Sequence, residues 1–160
     1  LQKYVMLVVG GRRQGQIISA TRLVHFGQPA EDLRHRHQAV ATVETAMISN
    51  SVPGKPLSDL FDQTKEAYAA VGFVDEWKHH HQGGLSGYMT REQLMTPGVS
   101  YFIQQGQIYA WNPSISGVKS EDTILIHEQG PEILTFTGQY PMTDTVWNGK
   151  RIQRPGILIR

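Results

Sequence analysis

Between Gly27 and Gly72 the chain changes its hydrophobic period, and this switch constrains the fold more than any other feature of the sequence. Leu33, Val40, Val43 and Met47 recur at helical spacing as far as Asn50. Pro29, Glu31 and Asp32 stand near the start, where a helix dipole favours acidic side chains. This predicts one amphipathic helix of about five turns. The stretch SVPGKP interrupts the pattern, and Leu57, Leu60, Phe61, Thr64, Ala67, Tyr68 and Val71 then repeat it up to Gly72, a residue suited to end a helix. Each helix has an apolar stripe to bury, and the flanking segments supply the surface. YVMLVV (4–9) and QIISATRLVHF (16–26), joined through GGRRQG, predict an opening antiparallel hairpin. From Val74 onward, glycine and proline punctuate short β-type runs: GYMTRE, QIYAWNP, DTILIHE and EILTFTG. The last twenty residues read as a closing strand or an extended tail. Strands, two helices and then more antiparallel strands predict the α+β class, with the helices on one face of a sheet. A length of 160 residues suits a single domain, 1–160, with a core of its own.

Charge narrows the partners. Fifteen Lys and Arg against fourteen Asp and Glu leave no electrostatic footprint for nucleic acid or an anionic membrane. No apolar run approaches the roughly 18 residues of a spanning helix, and the start shows no charged-then-apolar signal pattern. The lack of cysteine excludes disulfides, thiolate nucleophiles and cysteine-ligated zinc. It also suits a reducing compartment, so a cytoplasmic location is expected. Leu1 falls directly in a strand-like stretch, from which the natural protein is expected to continue upstream.

The motifs VVGGRRQGQIISATR, VPGKP, VGF, HHQGGL, GQIYAWNP and VKSEDTILIHEQGPEILT follow one another from Val8 to about Thr135. Their order and spacing resemble the catalytic domain shared by methionine aminopeptidases, Xaa-Pro aminopeptidases, prolidases and creatinase, the pita-bread fold. The resemblance implies a curved antiparallel sheet backed by helices, of which this chain is the C-terminal part, with a first half-repeat before Leu1. It also implies a small-molecule or dipeptide-like substrate and a homodimer.

Carried over residue by residue, the family's metal-ligand positions fall on Val8, Ser19, His81, Asn112 and Glu121. Only His81 and Glu121 are strong ligands. Two divalent ions about 3.5–4 Å apart bring four positive charges, and Glu121 alone leaves three uncompensated. No dinuclear metal and no other cofactor are therefore expected. A single divalent ion on His81 and Glu121, joined by His79 if that stretch is extended, stays open beside a metal-free site. By resemblance to creatinase, His81 is the proton shuttle of the metal-free site, and Glu121 and Asp122 orient it or bind a cation. The family pattern favours Glu121 as the inward-facing member of that pair.

Substrate contacts are expected from Ser19, His79, Tyr88, Arg91, Asn112 and Asp122. Arg91 and Glu92 are expected on opposite faces of a strand, one of them reaching a substrate carboxylate or amine, with a surface ion pair as the alternative. Tyr88 stands where some relatives place a second histidine; it is expected either to donate a hydrogen bond from a cleft wall or to sit in the core. Trp111 is expected in the core or lining the cavity. Ser19 and Thr21 lack a nucleophile-elbow pattern, which argues against a serine hydrolase. The glycines of VVGGRRQG match neither phosphate-binding pattern and read as a hairpin turn, with Arg12 and Arg13 at a solvated tip. The leading expectation is a peptidase-like hydrolase of the Xaa-Pro aminopeptidase and prolidase group, metal-free or with one metal, acting on a small amide or amino-acid-like compound. The alternative is a non-catalytic ligand-binding relative.

Overall fold

The computed structural model describes residues 3–160. Strands β1 (Tyr4–Arg13) and β2 (Gln16–His25) form the opening hairpin, with Val8 opposite Thr21 and Gly10 opposite Ser19. Its turn places Gln14 and Gly15 at positive φ, the backbone twist that matches a two-residue hairpin loop. Along β2 the side chains alternate, and Ile17, Ser19, Thr21, Leu23 and His25 face inward. Helices α1 (Glu31–Asn50) and α2 (Leu57–Ala70) follow, close to the extents set by the helical period.

A 3₁₀ turn (Glu76–Lys78) leads into the second sheet. Its strands are β3 (Gly83–Ser86), β4 (Gln93–Leu94), β5 (Ile108–Trp111), β8 (Asp122–His127) and β9 (Gly130–Ile133), antiparallel in the order β4-β3-β5-β8-β9. A small hairpin, β6 (Ser114–Ile115) with β7 (Val118–Lys119), projects between β5 and β8. The closing segment forms a hairpin of β10 (Met142–Trp147) and β11 (Lys150–Pro155), then β12 (Ile157–Ile159), which pairs in parallel with β2. The two main sheets meet where the Thr21 N–H donates to the Glu121 carbonyl at 3.0 Å.

The core lies between the helices and the second sheet. Val43 and Met47 of α1, Leu60 and Tyr68 of α2, and Trp111 and Ile124 of the sheet are fully buried. Trp111 is thus a core residue, as one expectation had it: it stacks on Tyr109 at 5.1 Å and its indole N–H donates to Ser51 Oγ at 2.9 Å. No helix among the described residues is long and apolar enough to cross a membrane.

Two local expectations are corrected. GYMTRE is not a strand: Gly87 to Glu92 form an irregular connection between β3 and β4, with bends at 87–90 and at Glu92. Glu92 Oε1 accepts the Met89 N–H at 3.0 Å, and this local side-chain bond competes with extended pairing. EILTFTG pairs only through its first residues, because the turn at Glu128 and Gln129 starts β9 at Gly130.

The closing hairpin is fastened to α1 by buried charge. Arg154 of β11 is fully buried; its Nε donates to Glu44 Oε2 at 3.1 Å, and its Nη2 bonds both Glu44 and Asp122. Asp122 also accepts from Arg22 Nη2 at 2.8 Å and from the Thr135 hydroxyl. Four elements (β2, α1, β8 and β11) are thereby tied through one chain of alternating charges. The helical pattern offered no sign of this role for Glu44, since a glutamate within a helix usually faces water.

Candidate functional site

Glu121 immediately precedes β8 and is only 3% exposed. Its Oε2 accepts the Thr21 hydroxyl at 2.6 Å and the Lys119 ammonium at 2.9 Å, while Oε1 accepts Arg91 Nη2 at 3.2 Å. Both cationic side chains are nearly buried, at 12% and 9% exposure. Paired, charge-assisted contacts of this kind are what make a buried carboxylate tolerable. Strand alternation explains Lys119: it lies two residues before Glu121 and so on the same face. Arg91 comes from the irregular 87–92 connection, and its Nε is buried without a partner.

His81 lies beside this group. Its Nδ1 accepts the Gly83 N–H at 3.2 Å, so the neutral imidazole carries its proton on Nε2. Burial pushes its pKa down to about 4; His80, Arg91 and Lys119 push the same way, and Glu121 opposes them. His81 is therefore a neutral hydrogen-bond donor at physiological pH, stacked on His80 at 4.4 Å.

The remaining expected residues divide. Asn112 is buried, its N–H bonded to the Gln82 carbonyl at 3.0 Å and its Oδ1 without a partner. Ser19 is buried too, its backbone held on both sides by the Thr123 hydroxyl. Asp122 spends its carboxylate on Arg22, Arg154 and Thr135 rather than facing the Glu121 group. Tyr88 is 75% exposed and lies over Gly15 at the hairpin tip, neither a cleft wall nor core. Arg91 and Glu92 lie outside any strand, Glu92 in a bend, rather than on the two faces of one. His79 ends the 3₁₀ turn in a helical conformation, so the extended geometry that would align it with His81 is absent there; its Nδ1 lies 3.5 Å from Glu76.

A cavity of about 500 Å³ opens between β1, the histidine loop and the β6–β7 hairpin. Met6 and Val8 make an apolar wall, Lys119 brings a cation, and Glu76 brings a carboxylate.

A hairpin, a helix pair and antiparallel strands that carry a histidine loop beside a buried glutamate define the pita-bread class of α+β domain. The chain belongs to metallopeptidase family M24, whose family model matches residues 2–128. Among curated proteins it is 29% identical over 141 residues to an uncharacterized peptidase of Staphylococcus aureus strain MW2, and 31% identical over 141 residues to one of Staphylococcus haemolyticus. Each alignment covers 83% of this chain and 39% of the relative, so the chain spans well under half the length of these proteins. Among solved structures, a dipeptidase from Pyrococcus horikoshii OT3 matches 98% of this chain and 41% of its own, with a TM-score of 0.78 and 20% identity. A Xaa-Pro dipeptidase from Bacillus anthracis matches over the same shares, with a TM-score of 0.78 and 18% identity. At these identities the structural likeness concerns the fold.

Proposed function

We propose that this peptidase-like domain uses the inherited cleft, without a divalent ion, to bind a small amino-acid-like or dipeptide-like compound. The observation that carries the reading is the state of Glu121: two side-chain cations and a hydroxyl already satisfy both carboxylate oxygens. The neighbouring positions agree. Val8 has no donor atom, and His81 points Nδ1 at a backbone N–H while its other nitrogen holds the proton, the reverse of what a metal-bound imidazole needs. The donor set does not fit the family's metal ions.

What the cleft offers instead is complementary charge. Lys119, which keeps donors beyond the one it gives Glu121, suits a ligand carboxylate, Glu76 suits an ammonium, and Met6 with Val8 suits an apolar side chain. A neutral His81 with its proton on Nε2 donates rather than accepts, which favours binding over general-base hydrolysis. The test is calorimetric titration of zinc, manganese and cobalt, and then of the dipeptide Ala-Pro in the presence of EDTA, into wild type, His81→Ala and Lys119→Met. Dipeptide binding under EDTA that weakens about tenfold in Lys119→Met supports the reading. Stoichiometric metal binding abolished by His81→Ala would overturn it, and metal-free turnover of Ala-Pro would shift it to a hydrolase.

A further inference from the structure

A second cavity lies elsewhere. It has a volume of about 790 Å³ and opens between the last turn of α1, β9 and the start of β11. Apart from residues of α1 and Val52, its walls come from positions 129 to 153, beyond the stretch that matches the peptidase family. Pockets for small molecules commonly run to 300–1,000 Å³, mostly apolar with a few placed polar groups.

This cavity has that composition. Ile48, Ile133, Phe136 and Ile152 give it an apolar lining, and Phe136 stands 57% exposed. Lys150 and Arg151 are its charged residues, and no acidic side chain lines it. Neither cation is fully committed. Lys150 Nζ donates one of its three hydrogens to the Ser49 carbonyl at 3.0 Å. Arg151 touches Asp144 at 3.2 Å, in a pair exposed on both sides and hence weak. On the α1 wall the buried Ser49 hydroxyl has no hydrogen-bond partner.

We propose that this cavity binds a small amphipathic carboxylate, its aromatic or aliphatic body against Phe136 and Ile152 and its anionic end between Lys150 and Arg151. The occupant follows from charge complementarity: an apolar chamber whose charged groups are both cations selects an acid over a neutral or cationic molecule of the same shape.

The experiment titrates 4-phenylbutyrate and its uncharged amide into the chain by calorimetry, for wild type, Phe136→Ala and Arg151→Glu. Both side chains are solvent-exposed, so the substitutions leave the core alone, and thermal melting checks this. The expected result is one saturable site for the acid, with the amide about tenfold weaker and each variant losing about tenfold in affinity at unchanged melting temperature. No saturable binding, equal affinity for acid and amide, or binding indifferent to both substitutions would each overturn the assignment.

Discussion

Replacing Arg154 by methionine removes the cation shared by Glu44 and Asp122, in a region closed to water. Asp122 retains Arg22 and the Thr135 hydroxyl, whereas Glu44 keeps only the Ser120 hydroxyl and the Asp122 N–H. Glu44 is the group left stranded. Burial already pushes its pKa up, to about 7, with Arg154 the chief opposing influence. Breaking a buried pair from one side costs about 3–5 kcal/mol, out of a total stability of roughly 5–15 kcal/mol. At roughly 2–4 °C per kcal/mol for a domain of this size, the melting temperature should fall by about 6–20 °C.

The pH dependence gives a second reading of the same variant. A carboxyl whose folded pKa exceeds its unfolded value contributes fully below the unfolded value and loses that contribution as pH rises through the folded one. Without Arg154 the folded value climbs further, so the deficit of Arg154→Met should be larger at pH 8 than at pH 5. Urea unfolding followed by tryptophan fluorescence measures both. The triple variant Glu44→Gln/Asp122→Asn/Arg154→Met, which removes the charges together, should recover at least half of the loss. A single-variant loss below about 1 kcal/mol, or a triple variant no better than the single one, would refute the account of the charge chain.

Two other perturbations test the scaffold. His37 is buried on α1, and burial lowers its pKa to about 4 against the pull of the Pro155 carbonyl. The unfolded chain takes up this proton first as pH falls, so stability should be whole above about pH 6.5 and decline by about 3 kcal/mol down to pH 4. Urea midpoints at pH 7 and 4.5 should show that decline reduced in His37→Gln, and equal declines in the two proteins would refute the assignment. A Cβ on Gly84 would lie 2.0 Å from the Gln93 carbonyl oxygen, whereas one on Gly10 meets nothing within 4 Å. Gly84→Ala should therefore cost about 1–3 kcal/mol and loosen the connection that carries Arg91, while Gly10→Ala stays within about 0.5 kcal/mol in the same thermal melts.

The helices were legible because a strong 3.6-residue period ran between proline and glycine boundaries, and both ended within a residue or two of expectation. The opening hairpin was legible for the same kind of reason. The 87–92 connection was not: its residues suit a strand, and what bends it is a carboxylate returning to a backbone three residues earlier. Glu44 and Arg154 were hidden by distance, since the closing hairpin that buries Glu44 lies 110 residues further along the chain. At the cleft, motif spacing brought out His81 and Glu121. The pairing of Glu121 with Arg91 depends on how the bends aim a long side chain, which no spacing encodes.

The union of Glu44 with Arg154 also sets an order of events during synthesis. A ribosome adding about 5–20 residues per second needs roughly 5–20 s to pass from one to the other. Through that interval α1 carries a carboxylate whose partner does not yet exist, and the helix stays wet on the side destined for burial. Asp122 waits as well, though for a shorter time. Contacts this far apart in the chain slow folding. The charge chain that ties β2, α1 and β8 to the closing hairpin can thus be completed only after that hairpin emerges.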